Sequence, residues 1–162
     1  MATSWIPIPE PGPRITEDDV RRFEHEFGYA LPADYRQFLL DVNGGQAPDS
    51  HSVFRIRKDE SILNSLFSLN ALDDASDLAT AQQHYSDDAR LPEGLLEIGY
   101  DSFGSRIIMP LAGPHRGEIW YVDIEDPRPV GSNPRVEWFD RRDVAKIADS
   151  FREFIEGLKP EE

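Results

Sequence analysis

Apolar positions recur at helical spacing near the start of the chain. Val20, Phe23 and Phe27 fall on one face of a segment that opens at Thr16 and stops at Gly28. The Thr16 hydroxyl is placed to accept from the free N–H groups of the first turn, and Glu17, Asp18 and Asp19 suit its positive end. On the outer face, Glu17 with Arg21 and Asp18 with Arg22 are spaced to pair at i,i+4. A second helix is expected from Leu31-Pro32, since proline is tolerated in a first turn. Tyr35, Phe38, Leu39 and Val42 form its apolar stripe. Asn43-Gly44-Gly45 stops it, because glycine accepts the left-handed backbone of a C-terminal cap. So few residues separate the two helices that they should pack as a hairpin.

The pattern then changes. Residues 52–56 read as a short strand, and 63–69 as a strand or a turn of helix. Residues 74–85 read as a helix with Leu78, Ala81 and Tyr85 inward. Residues 95–98, 106–109 and 118–123 are short, apolar and bounded by Gly or Pro, which predicts strands. Residues 99–104 make a glycine-bracketed hairpin turn between the first two. After a proline-rich loop at 125–135, residues 136–139 are expected to form the last strand. A final helix is predicted from Asp140 or Asp143, with Val144, Ile147, Ala148, Phe151, Phe154, Ile155 and Leu158 as its apolar face. Residues 1–14 hold four prolines and read as an extended lead-in anchored by Trp5, Ile6 and Ile8. This order predicts an α+β fold: an N-terminal helix hairpin, a central antiparallel sheet and a C-terminal helix, as one domain over residues 15–159. No internal repeat is present.

Composition narrows the function. The chain has 162 residues, with nine Phe, five Tyr and three Trp, enough bulky material for one core. It has no cysteine, which excludes disulfides and thiolate chemistry. The opening residues do not read as a signal peptide, and no apolar run approaches the roughly 18 residues of a membrane span. A cytoplasmic location is expected. The net charge of −14 disfavours nucleic acid and anionic membranes as direct partners and favours a basic protein. Half of that charge lies in residues 70–101, where eight acids face one base.

The motifs of catalysis are missing. No Gly-x-Ser-x-Gly elbow is present, and Ser102 sits in a predicted turn. His25, His51, His84 and His115 have no metal-binding spacing. His84 with Asp87 and Asp88 reads as a solvated helix end, and Asp73-Asp74-x-x-Asp77 lacks the glycine and terminal glutamate of a calcium loop. Asn43-Gly44-Gly45 follows a helix, whereas a phosphate loop precedes one. The basic run Arg55-Ile56-Arg57-Lys58 is cut short by Asp59 and Glu60. No metal, cofactor or catalytic residue is expected.

Several segments together resemble the SMI1/KNR4 (SUKH) superfamily. The first is Ile15, Val20, Phe23-Glu24, Phe27-Gly28, Leu31-Pro32, Tyr35, Phe38-Leu39 and Asn43-Gly44-Gly45. Residues 95–104 with Ile107-Ile108 are similar to the family's central strand pair, except that Gly104-Ser105 replaces its Gly-Asp. Ala148-x-Ser150-Phe151-x-x-Phe154-Ile155 is similar to its closing helix. The resemblance spans about residues 15–158. It implies an α+β fold and, in bacteria, an immunity protein that binds and neutralises a toxin, often a nuclease. In fungi it implies an interaction protein of cell-wall signalling. It implies no shared catalytic residue.

The expected function is therefore occlusion of a basic toxin domain. Its interface is expected to use Asp73, Asp74, Asp77, Asp87 and Asp88, with Asp101 on the hairpin and Tyr85, Tyr100 and Phe103 as aromatic anchors. A regulatory adaptor with an endogenous partner is the alternative. The sequence leaves the oligomeric state open.

Overall fold

Thr16 opens the first helix through a reciprocal cap. Its hydroxyl accepts from the Asp19 amide at 3.2 Å, and its own amide donates to the Asp19 carboxylate at 2.8 Å. The helix, α1 (Glu17–Phe27), buries Val20 and Phe23 and ends at Gly28 with φ +98°. Its ion pairs differ from the i,i+4 expectation. Asp18 pairs with Arg21, and Asp19 with Arg22 at 3.9 Å, both at i,i+3. Glu17 instead reaches Arg36 of α2 (Ala33–Asp41) at 3.3 Å. The Glu24 carboxylate accepts from the Leu31 amide at 2.7 Å and so ties the two helices at their connection.

The computed structural model describes residues 5–83, 91–124 and 137–161. Within them lies an α+β fold with four helices and a seven-stranded sheet. The strands are β1 (Gly45–Gln46), β2 (Val53–Ile56), β3 (Asp59–Leu66), β4 (Leu95–Asp101), β5 (Arg106–Pro110), β6 (Ile119–Val122) and β7 (Val144–Ala148). Their order is β1-β3-β4-β5-β6-β7, with β2 also on β3, and every pairing is antiparallel. The β4–β5 register sets Leu96 opposite Met109 and Tyr100 opposite Arg106, with a bulge between Glu97 and Gly99. The Gln82 side chain brackets the bulged strand. It accepts from the Glu97 amide at 2.9 Å and donates to the Glu97 carbonyl at 2.8 Å.

One face of the sheet carries the main core. Ile98, Ile107, Met109 and Ile119 pack with Val20, Phe38, Leu39, Phe151 and Phe154. The other face holds a smaller cluster of Leu95, Ile108, Trp120, Val122, Trp138 and Val144.

Three sequence expectations change. The segment read as one final helix is a strand followed by a helix: β7, then α4 (Phe151–Glu156). The break is at Ser150, whose hydroxyl accepts from the Glu153 amide at 3.0 Å. The preceding apolar residues satisfy a strand because β7 lies beside β6, with Val144 opposite Val122. The strand expected at 136–139 is, where described, a 3-10 turn at Trp138–Asp140. Over its described residues, the helix expected at 74–85 shrinks to a 3-10 turn, Asp74–Ser76, and a single turn, α3 (Leu78–Ala81).

The proline-rich lead-in is fastened to the fold. Ile6 is buried, and the Trp5 ring meets Phe38 edge-on at 5.4 Å while its indole N–H donates to Asp41 at 2.9 Å. Asn43 joins this strap to the sheet. It is buried at φ +65°, and its amide donates to Pro13 O at 2.7 Å and Leu69 O at 2.8 Å while accepting from Leu69 N at 2.8 Å. Asn43-Gly44-Gly45 is thus a three-way junction as well as a helix stop. At the far side of the sheet, the Arg57 guanidinium donates to the carbonyls of Val144 at 2.7 Å and Arg142 at 3.3 Å, covering part of β7.

Candidate partner-binding surface

The acidic loop between β3 and α3 is built by its own aspartates. The Asp73 carboxylate accepts from the Ala75 amide at 2.8 Å and the Ser76 hydroxyl at 3.0 Å. Asp77 caps α3 through the Thr80 amide and hydroxyl, at 3.0 and 2.7 Å, and also accepts from the Ala71 amide at 3.1 Å. The loop is held to the sheet where Ser68 N donates to Ser76 O and Leu78 N donates to Ser68 O, both at 2.8 Å. This bracing fixes the backbone and leaves two acids outward. Asp73 and Asp74 are exposed, whereas Asp77 is half-buried and spends its carboxylate inside the loop.

Between them and the strap runs a groove of about 590 Å³. Glu10 and Pro11 stand on the strap side, and Leu72, Asp73 and Ser76 on the loop side. Tyr100 and Phe67 lie among its lining residues with ring centroids 5.6 Å apart. Leu72 is 99% exposed, the most exposed large apolar side chain among the described residues. Burying a leucine normally contributes about 1.5–3 kcal/mol, so one this exposed adds little to the fold.

Asp101 is a correction to the expected interface. It is 1% exposed, and its carboxylate accepts four hydrogen bonds. Ser61 Oγ and Tyr121 Oη donate at 2.7 Å, Ser105 N at 2.8 Å and Phe103 N at 3.0 Å. Its work is to shape the β4–β5 turn. The Tyr121 phenol is pushed well above its ordinary range, by burial first and then by its bond to Asp101. The turn projects Phe103, which is 60% exposed, over a different groove of about 300 Å³ lined by Ile56, Ser105, Tyr121 and Arg142.

The structure therefore brings Asp73 and Tyr100 to one groove with Asp74 beside them, places Phe103 at another and withdraws Asp101 into the interior. Tyr85, Asp87 and Asp88 lie outside the described residues. Sequence reasoning missed Leu72 and Glu10. An isolated leucine followed directly by two aspartates was the available signal for the first. Nothing in the proline-rich lead-in singled out Glu10.

Among the described residues, no group of three or more His, Asp or Glu is placed to hold a metal, and no helix is long and apolar enough to cross a membrane. Comparison with curated proteins finds no match. The model of the SMI1 / KNR4 family (SUKH-1) matches residues 14–157. That span runs from the end of the strap through α4 and takes in all seven strands, so the chain belongs to the SMI1/KNR4 family.

Proposed function

We propose that this protein is an immunity protein of the cytoplasm that binds a basic toxin domain, such as a nuclease, and neutralises it by occlusion without catalysis. Family membership supports the class of function. The observation that carries the choice of surface is Leu72, fully exposed on a braced loop and followed directly by the exposed Asp73 and Asp74. An exposed apolar side chain beside like charge offers a cationic partner both a contact and electrostatic steering. A nuclease holds phosphate on cationic surface, which an acidic protein can approach quickly and cover. The reading also includes Asp87, Asp88 and Tyr85 in the contact, and treats Phe103 as a second anchor.

The test is affinity capture from the source organism with the tagged chain, washed at low and high salt. Recovery of one basic toxin-domain protein, weakened by salt and by Leu72→Ser, is the expected result. Recovery of housekeeping enzymes or scaffolds in its place would overturn the toxin reading and favour a regulatory adaptor built on the same fold.

A further inference from the structure

The groove beside the acidic loop has a chemistry more specific than general acidity. Its described lining contains two carboxylates, Glu10 and Asp73, and no Lys or Arg. Among the described residues, Asp73 uses its oxygens only for exposed local bonds within its own turn, and no cation pairs with it. The lining also contains an aromatic pair, Tyr100 and Phe67, and Tyr100 is only half-buried. An aromatic surface with carboxylates at the rim matches one side chain well. Arginine has an apolar stem, a planar cation that stacks on a ring, and a fork of donors for carboxylates. The walls are also fixed in advance. Gly12 of the strap approaches so closely that a Cβ there would stand 2.3 Å from Asn43 O, and Gly12 N donates to that same carbonyl at 3.2 Å.

We infer that this groove receives an arginine side chain from a protein partner, with the guanidinium against Tyr100 and toward Glu10 and Asp73. The inference deepens the proposed function by naming what the basic partner presents, and it rests on that reading only for the partner being a protein.

The experiment is an NMR titration of the full chain with N-acetyl-argininamide, using N-acetyl-lysinamide and the neutral N-acetyl-citrullinamide as controls. Saturable shifts are expected at the amides of Ser68, Ser76 and Tyr100 with the arginine probe. The lysine probe should bind about two- to fivefold more weakly, and the citrulline probe should not saturate. Glu10→Gln, on the exposed strap, should weaken the arginine probe about two- to fivefold, as should Tyr100→Leu. Tyr100→Phe keeps the ring and should bind like the parent, which separates loss of the aromatic face from loss of the fold. Unsaturable shifts spread over all the acids, or equal binding of citrulline, would overturn the slot. So would an unchanged affinity in Glu10→Gln and Tyr100→Leu. If a captured toxin binds these two variants as it binds the parent, the slot fails and the immunity reading stands. If the arginine probe binds as expected but no toxin is captured, the slot stands and the immunity reading fails.

Discussion

Two stretches of this chain set aspartate beside a large apolar residue in a polar turn: residues 71–77, with three aspartates, and residues 99–105, with one. In the first, the aspartates cap a 3-10 turn and a short helix while Asp73 and Asp74 remain in solvent beside an exposed Leu72. In the second, Asp101 is drawn into the sheet and satisfies four donors, leaving Phe103 as the outward residue. What separates them is the number of buried donors within reach. Around Asp101, two hydroxyls and the Ser105 amide are buried, the Phe103 amide is partly so, and buried donors need an acceptor. Around Asp73, the amides are at the surface, where water competes.

The difference can be broken by substitution. Asp101→Ala leaves four donors without their acceptor, three of them buried, and should cost about 3–5 kcal/mol, read as a fall in urea midpoint. A loss under about 1 kcal/mol would show that the network relaxes or takes in water. Asn43→Ala should cost about 2–4 kcal/mol, since it removes three hydrogen bonds and leaves alanine at a positive φ. Because Asn43 sits at the foot of the acidic loop, hydrogen exchange should then rise at Leu69 and at Ser68.

Two buried tyrosines sharpen the point about partners. Tyr121 gives its hydroxyl to Asp101, whereas the Tyr35 hydroxyl is buried with no hydrogen-bond partner among the described residues. Both phenols are pushed well above the ordinary range, Tyr35 by burial alone and Tyr121 by burial first. An unfolded tyrosine ionises near pH 10. Above that pH the unfolded chain releases protons that the folded chain keeps, so stability is intact below about pH 10 and falls as pH rises. Tyr35→Phe should change neutral-pH stability by less than about 1 kcal/mol and make the alkaline fall shallower in thermal melts. Asp74→Lys should have the smallest effect on stability, within about 0.5 kcal/mol. It should nevertheless slow association with a basic partner by roughly tenfold at low salt, measured by stopped flow. If it destabilises as much as Asp101→Ala, the two stretches are not different in kind.

The helix hairpin was legible because its signals are local. Thr16, Gly28 and Pro32 act on backbone within a few residues, and Val20, Phe23, Tyr35, Phe38 and Leu39 face the core as their spacing implied. The strands at β4, β5 and β6 were legible for similar reasons. Residues 144–155 misled because Val144, Ala148, Phe151 and Ile155 fit helical spacing, while the element that decides the strand is β6, distant in sequence. Ser150 with Glu153 was the local sign of a late helix start. The candidate surface was only half legible. Acidity marked Asp73 and Asp74, but whether an aspartate meets solvent or buried donors depends on how β3 and β6 supply Ser61 and Tyr121 to Asp101. A groove made from a proline strap and a distant loop has no signature in either segment.

Arg57 has a consequence for how this chain behaves in a crowded solution. An outer strand with bare carbonyls is a template on which another chain can continue the sheet, and growth from such edges leads to aggregates. Here a guanidinium occupies the carbonyls of Val144 and Arg142, so a foreign strand meets a positive charge and filled acceptors. The net charge of −14 adds a repulsion between like molecules to this covered stretch of β7.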